Sequence, residues 1–186
     1  SGKGVGAAIL MAAAQAYLRG VLSRGEDPGT AVKSLNEFLI ERSAVNRFVT
    51  LWVGLFDADG SVTYVDAGHG HWAVCRSNGE VEVGESNAPL VGAVEGMEFT
   101  SLTLSLEHGD RIVLMTDGIP EQPGGEENEQ YGMNRVTQVL SRTRTCNEDV
   151  TELMTSLRRW SAGPLADDTT AASVTVNSIT NGVGPV

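Results

Sequence analysis

The feature of the sequence that most constrains the fold is a series of short β-type segments, between residues 48 and 115, separated by turn-forming residues. Residues 57–60 read Asp-Ala-Asp-Gly and residues 77–79 read Ser-Asn-Gly, and Asn-Gly is a strong hairpin signal. Strands joined by such short turns pair antiparallel, since a parallel pair needs a crossover of a dozen or more residues. The region therefore predicts antiparallel sheet and disfavours a doubly wound parallel fold.

Segments with a helical spacing of apolar residues lie on both sides of this region. The predicted helices are 5–24, 27–42, 134–142 and 147–161. The predicted strands are 48–56, 62–65, 72–75, 80–83, 98–106, 111–115 and 171–176, and 122–130 is predicted to be a polar loop. Helices that are segregated from a block of strands predict an α+β fold built in layers.

The charge balance limits the partners of the chain. It carries 24 acidic against 13 basic residues, a net charge of −11. This charge argues against nucleic acid and against an anionic membrane surface, both of which attract basic proteins. The apolar run 7–14 is shorter than the roughly 20 residues that span a bilayer, so no membrane contact is expected.

The two cysteines, Cys75 and Cys146, have no Cys or His partner at zinc-ligand spacing. Two thiols also make no disulfide framework. They favour a reducing compartment, and a cytoplasmic location is expected.

Two acidic motifs lie where an apolar strand meets a loop. Asp117 follows strand 111–115, and Asp167-Asp168 precedes strand 171–176. Either motif alone is more often a turn cap than a site. If the two strands are neighbours in a sheet, however, Asp117 and Asp167 can converge on one hard cation, for which carboxylate oxygens suit Mg²⁺ or Mn²⁺. Two carboxylates make a sparse site, so a third is expected.

The glycines at the start of the chain, Gly2 and Gly4 with Ala7, fit the dinucleotide pattern G-x-G-x-x-A. That pattern needs a preceding strand and a parallel partner, neither of which is predicted. A tight turn into a helix is the preferred interpretation, and a nucleotide-binding module is the weaker alternative.

Several motifs, in order along the chain, resemble those of one enzyme family. They are S-G-K-G-V-G-A-A, F-V-T-L-W-V-G-L-F-D-A-D-G, V-T-Y-V-D-A-G-H-G-H, N-A-P-L-V-G, L-E-H-G-D-R-I-V-L-M-T-D-G, E-Q-Y-G-M-N-R-V and D-D-T-T. The sequence resembles the SpoIIE/RsbU-type bacterial serine phosphatases, which belong to the metal-dependent (protein phosphatase 2C-like, PPM) phosphatases. The resemblance spans nearly the whole chain. We therefore expect one phosphatase domain over residues 1–177 and a disordered tail over 178–186.

This resemblance implies an antiparallel β-sandwich flanked by helices, with two Mn²⁺ or Mg²⁺ ions that activate a water for attack on phosphoserine or phosphothreonine. It implies catalytic and metal-binding roles for Asp117, in the T-D-G motif, and Asp167, the first residue of D-D-T-T; Asp168 is a secondary candidate ligand. The substrate implied is a phosphorylated STAS-type anti-sigma-factor antagonist, so that the chain acts in signal transduction.

The chain departs from the family at its start. The family pattern is Asp-Val-Ser-Gly-Lys-Gly, with a metal-bridging Asp, and this sequence begins at the Ser. We therefore expect an N-terminally truncated domain with weak metal binding and little activity. An uncovered sheet edge and a partly uncovered core would favour aggregation or self-association, for example as a homodimer. The alternative function is that of a pseudo-phosphatase, a regulatory domain that binds a partner without chemistry.

Overall fold

A computed structural model of the chain describes residues 4–42, 48–125, 128–161 and 163–177. Its helices are α1 (Val5–Leu22), α2 (Pro28–Arg42), α3 (Gly132–Leu140) and α4 (Cys146–Trp160). Its strands are β1 (Leu51–Phe56), β2 (Ser61–Ala67), β3 (Trp72–Cys75), β4 (Val81–Val83), β5 (Leu102–Ser105), β6 (Arg111–Met115), β7 (Pro123–Gly124), β8 (Glu129–Gln130) and β9 (Ala171–Thr175).

The chain divides into two compact units. The first comprises Ser1–Asp57, Ser61–Gly70 and Ser86–Ser105, and the second comprises Ala58–Gly60, His71–Glu85 and Leu106–Val186. Each unit contains two helices and an antiparallel sheet, so the predicted α+β class is confirmed.

In the first unit, the sheet has the order β1-β2-β5 with antiparallel pairs throughout. Helix α2 begins as predicted, with Pro28 in its first turn and the Asp27 carboxylate accepting from the Gly29 and Thr30 amides. The core is made by α1, α2, β2 and the segment after Ala88; its buried residues are Ala14, Val32, Leu35, Leu39, Val65, Ala67, Val91 and Phe99.

In the second unit, the sheet has the order β4-β3-β6-β9, again fully antiparallel. The pairing of β3 with β4 confirms the Asn-Gly hairpin, and β6 is an interior strand, as its continuous apolar run predicts. Helices α3 and α4 pack on this sheet. The buried core residues are Ala73, Cys75, Val113, Met115, Ile119, Tyr131, Val136, Leu140, Leu153 and Leu157.

A buried ion pair attaches α4 to the second sheet. The Arg111 guanidinium donates through Nε to Asp149 Oδ2 at 2.8 Å, and the two side chains are 2% and 0% exposed. The same carboxylate accepts from the hydroxyls of Thr143 and Ser173. Arg111 Nη2 also donates to Asp149 Oδ1 at 3.2 Å, so each carboxylate oxygen accepts two hydrogen bonds, which offsets the cost of removing the charge from water.

The structure corrects one predicted strand and one predicted loop. The strand expected over 98–106 is limited to β5, because Ser101 turns away to bond with the start of α2: its hydroxyl accepts from the Gly29 amide and donates to Asp27. The loop expected over 122–130 contains a small hairpin, β7–β8, in which Pro123 pairs with Gln130. Strands of two residues are too short to show alternation in a sequence.

Helix α1 is long and apolar enough, by length and composition, to cross a membrane, although only 11% of it is buried. Core helices of soluble proteins, which are mostly buried, and signal sequences meet the same criteria of length and composition, so this finding does not assign α1 to a membrane. The predicted tail over 178–186, Gly2 in the dinucleotide-like pattern and Ser1 of the S-G-K-G motif lie outside the described residues.

Candidate metal centre

The pairing of β6 with β9 brings the two acidic motifs to one end of the second sheet. The strands are antiparallel, with Met115 opposite Ala171. The end of β6 therefore lies beside the start of β9, and Asp117, two residues beyond β6, lies near the loop that carries Asp167. The proximity that the sequence predicted on condition that the strands are neighbours is thus present.

Thr116 joins the two loops directly. Its hydroxyl donates to the Asp168 carbonyl at 3.0 Å and accepts from the Thr170 amide at 2.9 Å. Its own amide donates to the Thr170 carbonyl at 3.0 Å. These three bonds, two of them made by the Thr116 side chain, extend the β6–β9 ladder and fix the Asp167–Asp168 loop beside Asp117.

Position 118 requires a glycine, because the same two loops approach each other closely there. A Cβ atom at this position would lie 2.5 Å from the Asp168 carbonyl oxygen, which is far inside van der Waals contact. The opposing atom belongs to the backbone and cannot move aside easily. The glycine of the T-D-G motif therefore permits the approach that sets Asp117 beside Asp167.

Asp117 and Asp167 line one cavity of about 170 Å³, together with Gly118, Glu121, Gln122 and Ala166. Glu121 is a carboxylate that the sequence reading did not select, although its amide donates to the Asp117 carbonyl and places it one turn beyond Asp117. Asp168 is not among the lining residues; its carbonyl binds Thr116, and its amide donates to Asp167 Oδ1 at 2.9 Å.

The chemistry of this cavity fits a hard divalent cation. Its charged lining groups are all carboxylates, the donors that Mg²⁺ and Mn²⁺ prefer. Within the described ranges, however, no three His, Cys, Asp or Glu side chains are grouped closely enough to share an ion. Asp117 and Asp167 would therefore hold a cation with two protein ligands from the described residues. Such a site is compatible with Mg²⁺, which is often bound by one or two carboxylates and by water.

A larger cavity, of about 460 Å³, lies elsewhere in the second unit, beside α4. Its lining includes the carboxylates Glu148 and Glu152 but also three arginines, Arg142, Arg144 and Arg159, and neither Asp117 nor Asp167. The arginines outnumber the carboxylates and would repel a metal ion, so the smaller acidic cavity is the candidate metal centre.

Comparison with known proteins links the whole described region to one family. The sequence model of the family "Stage II sporulation protein E (SpoIIE)" matches residues 1–177. Stage II sporulation protein E of Bacillus subtilis is 28% identical over 161 residues, which are 86% of this chain and 19% of that protein. The phosphoserine phosphatase RsbU of the same organism is 27% identical over 123 residues, 64% of this chain and 36% of that protein.

A solved structure shows the same fold. The PP2C phosphatase domain of SpoIIE from Bacillus subtilis, with a fragment of its regulatory domain, superposes with a TM-score of 0.78 at 22% identity, covering 94% of this chain and 51% of that one. The fold class predicted from the sequence is confirmed by this match. The chain spans about a fifth of the length of the sporulation protein that it resembles.

Proposed function

The chain belongs to the SpoIIE family, whose phosphatase domains have the PP2C-type fold, and we propose that it is a metal-dependent phosphatase acting on phosphoserine or phosphothreonine of a regulatory protein. The single observation that carries the proposal is the convergence of Asp117 and Asp167 on one cavity. Members of this family form one branch of the protein phosphatase 2C-like enzymes, which implies dependence on a divalent metal.

Asp117 and Asp167 would hold the cation, Mn²⁺ or Mg²⁺. When bound, the cation supplies Lewis-acid chemistry and a water activated for attack on phosphorus. Thr116 and Gly118 hold the two carboxylates together. Among the residues that the structure describes, none of those lining the cavity is basic, so the carboxylates by themselves would repel a phosphate group. A bound cation would have to offset this repulsion.

The partner that we propose is a phosphorylated STAS-type anti-sigma-factor antagonist, as the family resemblance implies. The relative RsbU is named a phosphoserine phosphatase, which supports phosphoserine as the group removed. The two cysteines are free, and free thiols support a cytoplasmic location as part of the same proposal.

One observation favours a second candidate function, that of a pseudo-phosphatase which binds a partner without hydrolysis. The described residues contain no group of three ligating side chains. A site that holds its cation weakly could retain the fold and the partner surface while losing the chemistry.

The test measures Mn²⁺ binding by calorimetry and Mn²⁺-dependent hydrolysis of p-nitrophenyl phosphate and of a phosphoserine peptide. Asp117→Asn and Asp167→Asn are expected to remove most of the metal affinity, because each deletes a charged ligand from a sparse site. Asp59→Asn, in the exposed β1–β2 turn, is the matched control and is expected to change neither quantity. Hydrolysis that is insensitive to both site substitutions contradicts the proposal. Metal binding without hydrolysis, in this chain and also in a chain extended upstream, favours the pseudo-phosphatase.

A further inference from the structure

Gln122 is a buried polar residue at the edge of the candidate metal centre. It is 2% exposed, and it lines the cavity with Asp117 and Asp167. It ends the turn that begins at Asp117, since its amide donates to the Ile119 carbonyl. In the sequence it begins a polar loop and carries no recognisable motif.

The side-chain amide of Gln122 contacts two other segments. Its Oε1 accepts from the Ala166 amide at 2.9 Å, and its Nε2 donates to the Pro123 carbonyl and to Ser161 Oγ, both at 3.1 Å. A backbone N–H can only donate and a carbonyl can only accept. The contacts to Ala166 and Pro123 therefore determine which way the amide points, and neither a carboxylate nor an apolar side chain could make both.

The backbone of Gln122 is held equally firmly. Its carbonyl accepts from the Tyr131 amide at 2.9 Å and from Trp160 Nε1 at 3.3 Å. The Trp160 ring in turn lies under the Arg135 guanidinium, whose central carbon is 3.8 Å from the ring centroid. Because the backbone of Gln122 is fixed, its side chain can hold a neighbouring segment of the chain in place.

The segment that it fixes is the one that carries Asp167. Ala166, which binds the Gln122 side chain, immediately precedes Asp167. Asp168, whose carbonyl binds the Thr116 hydroxyl, immediately follows it. Both neighbours of Asp167 are therefore bonded to the segment that carries Asp117: one to Thr116, which precedes Asp117, and the other to Gln122, which follows it by five positions.

We propose that Gln122 is a positioning residue of the metal centre: through the Ala166 amide it sets the place of Asp167 relative to Asp117. The positioning role has a biological meaning only if the proposed function is correct. The hydrogen bond between Gln122 and the Ala166 amide does not depend on that function. Outer residues that orient metal ligands typically contribute about 10- to 100-fold in metal affinity or activity.

Two variants separate positioning from stability. Gln122→Met keeps the length of the side chain and removes the acceptor for Ala166, so Mn²⁺ affinity measured by calorimetry is expected to fall about tenfold or more. Ser161→Ala removes a different contact of the same amide, and with it the Ser161 hydroxyl bonds to Gly163, but leaves Ala166 bound, so Mn²⁺ affinity is expected to stay at the wild-type level. Gln138→Met, on the exposed side of α3, is the matched control.

A merely structural role would instead lower affinity in proportion to the loss of thermal stability in both variants. Each titration is therefore run below the unfolding transition of the least stable variant. If Gln122→Met does not fold, Gln122→Asn, which is one methylene too short to reach Ala166 from the same backbone position, replaces it.

Hydrogen exchange of the Ala166 amide in the metal-free protein keeps the two proposals distinguishable. Exchange is expected to be slow in the wild type and in Ser161→Ala, and faster in Gln122→Met. Wild-type protein that binds no Mn²⁺ overturns the proposed function, and the exchange rates then decide the role of Gln122. A Gln122→Met variant with wild-type Mn²⁺ affinity, or with an unchanged Ala166 exchange rate, overturns the positioning role.

Discussion

At the scale of single residues, the site depends on short polar side chains whose partners are distant in the sequence. Thr116 bonds with residues 52 and 54 positions further along the chain. Such contacts leave no local pattern, which is why the sequence reading selected Asp117 and Asp167 but neither Thr116 nor Gln122 as a functional residue. Carboxylates at the ends of apolar strands can be recognised from the sequence. The residues that hold those carboxylates in place cannot be recognised in this way.

Another residue-scale property concerns the two thiols. Cys75 is buried in β3, and burial, assisted by the nearby charge of Asp149, raises the pKa of its thiol to about 12. The thiolate is the reactive form, so Cys75 is expected to be inert at pH 8 in the folded protein. Reaction with an aromatic disulfide reagent should therefore titrate one thiol, the partly exposed Cys146, in the native protein and two after denaturation.

The raised pKa of Cys75 also determines how the stability of the protein changes with pH. The unfolded chain loses the Cys75 proton at a lower pH than the folded chain does, so this contribution to stability is complete at neutral pH and is lost as pH rises toward 12. Cys75→Ala removes this alkaline dependence and also leaves one native thiol. Two rapidly reacting thiols in the native wild-type protein would contradict the expectation.

At the scale of elements, two interactions of different strength stabilise α4. Thr145 and Glu148 form a capping box at its start, where each side chain bonds with the backbone of the other. The Arg111–Asp149 pair then fixes the helix to β6. The first device is exposed and local, and the second is buried and links two distant segments.

Asp149→Ala leaves the Arg111 guanidinium buried without its carboxylate. The free energy of unfolding is expected to fall by about 3–5 kcal/mol, as is usual when one partner of a buried pair is removed. Urea denaturation measures the change, and Glu152→Ala, an exposed carboxylate on the same helix, is the control. A loss for Asp149→Ala as small as that of the control would show that the pair does not anchor α4.

The elements also show what the sequence could predict. Hairpins with strands of three or more residues and an Asp-Gly or Asn-Gly turn, such as β1–β2 and β3–β4, were predicted correctly, because alternation and turn chemistry are both local. The β7–β8 hairpin was not predicted, because its position depends on contacts with Trp160, which is distant in the sequence. A Cβ at Gly124 would lie 2.3 Å from the Trp160 carbonyl oxygen, and one at Gly125 would lie 2.7 Å from its ring.

At the scale of the whole molecule, the most exposed large apolar residues that the structure describes lie near the start of the chain. Val5 and Ile9 are 78% and 65% exposed, and their spacing of four residues places them on one face of α1. Large exposed apolar residues that share a face favour association. The sequence predicted self-association from a sheet edge, and α1 offers a different surface for it.

The expected behaviour is a sedimentation coefficient that rises with protein concentration. Ile9→Glu places a charge on the α1 face and should reduce this dependence. Val94→Glu, at an exposed apolar residue outside α1, is the matched control and should preserve it. Wild-type protein that sediments as a monomer across the whole concentration series would contradict the prediction.

The antiparallel pairing of β6 with β9 has a consequence for the order of events during synthesis. Met115 and Ala171 are opposite each other in the sheet, yet the ribosome makes the second 56 residues after the first. At about 5–20 residues per second, the delay is several seconds. During that interval the nascent chain already carries Asp117 but lacks the strand that delivers Asp167. The proposed metal site can therefore be completed only late in synthesis, after β9 has been made, and the proposed metal-dependent activity would arise no earlier.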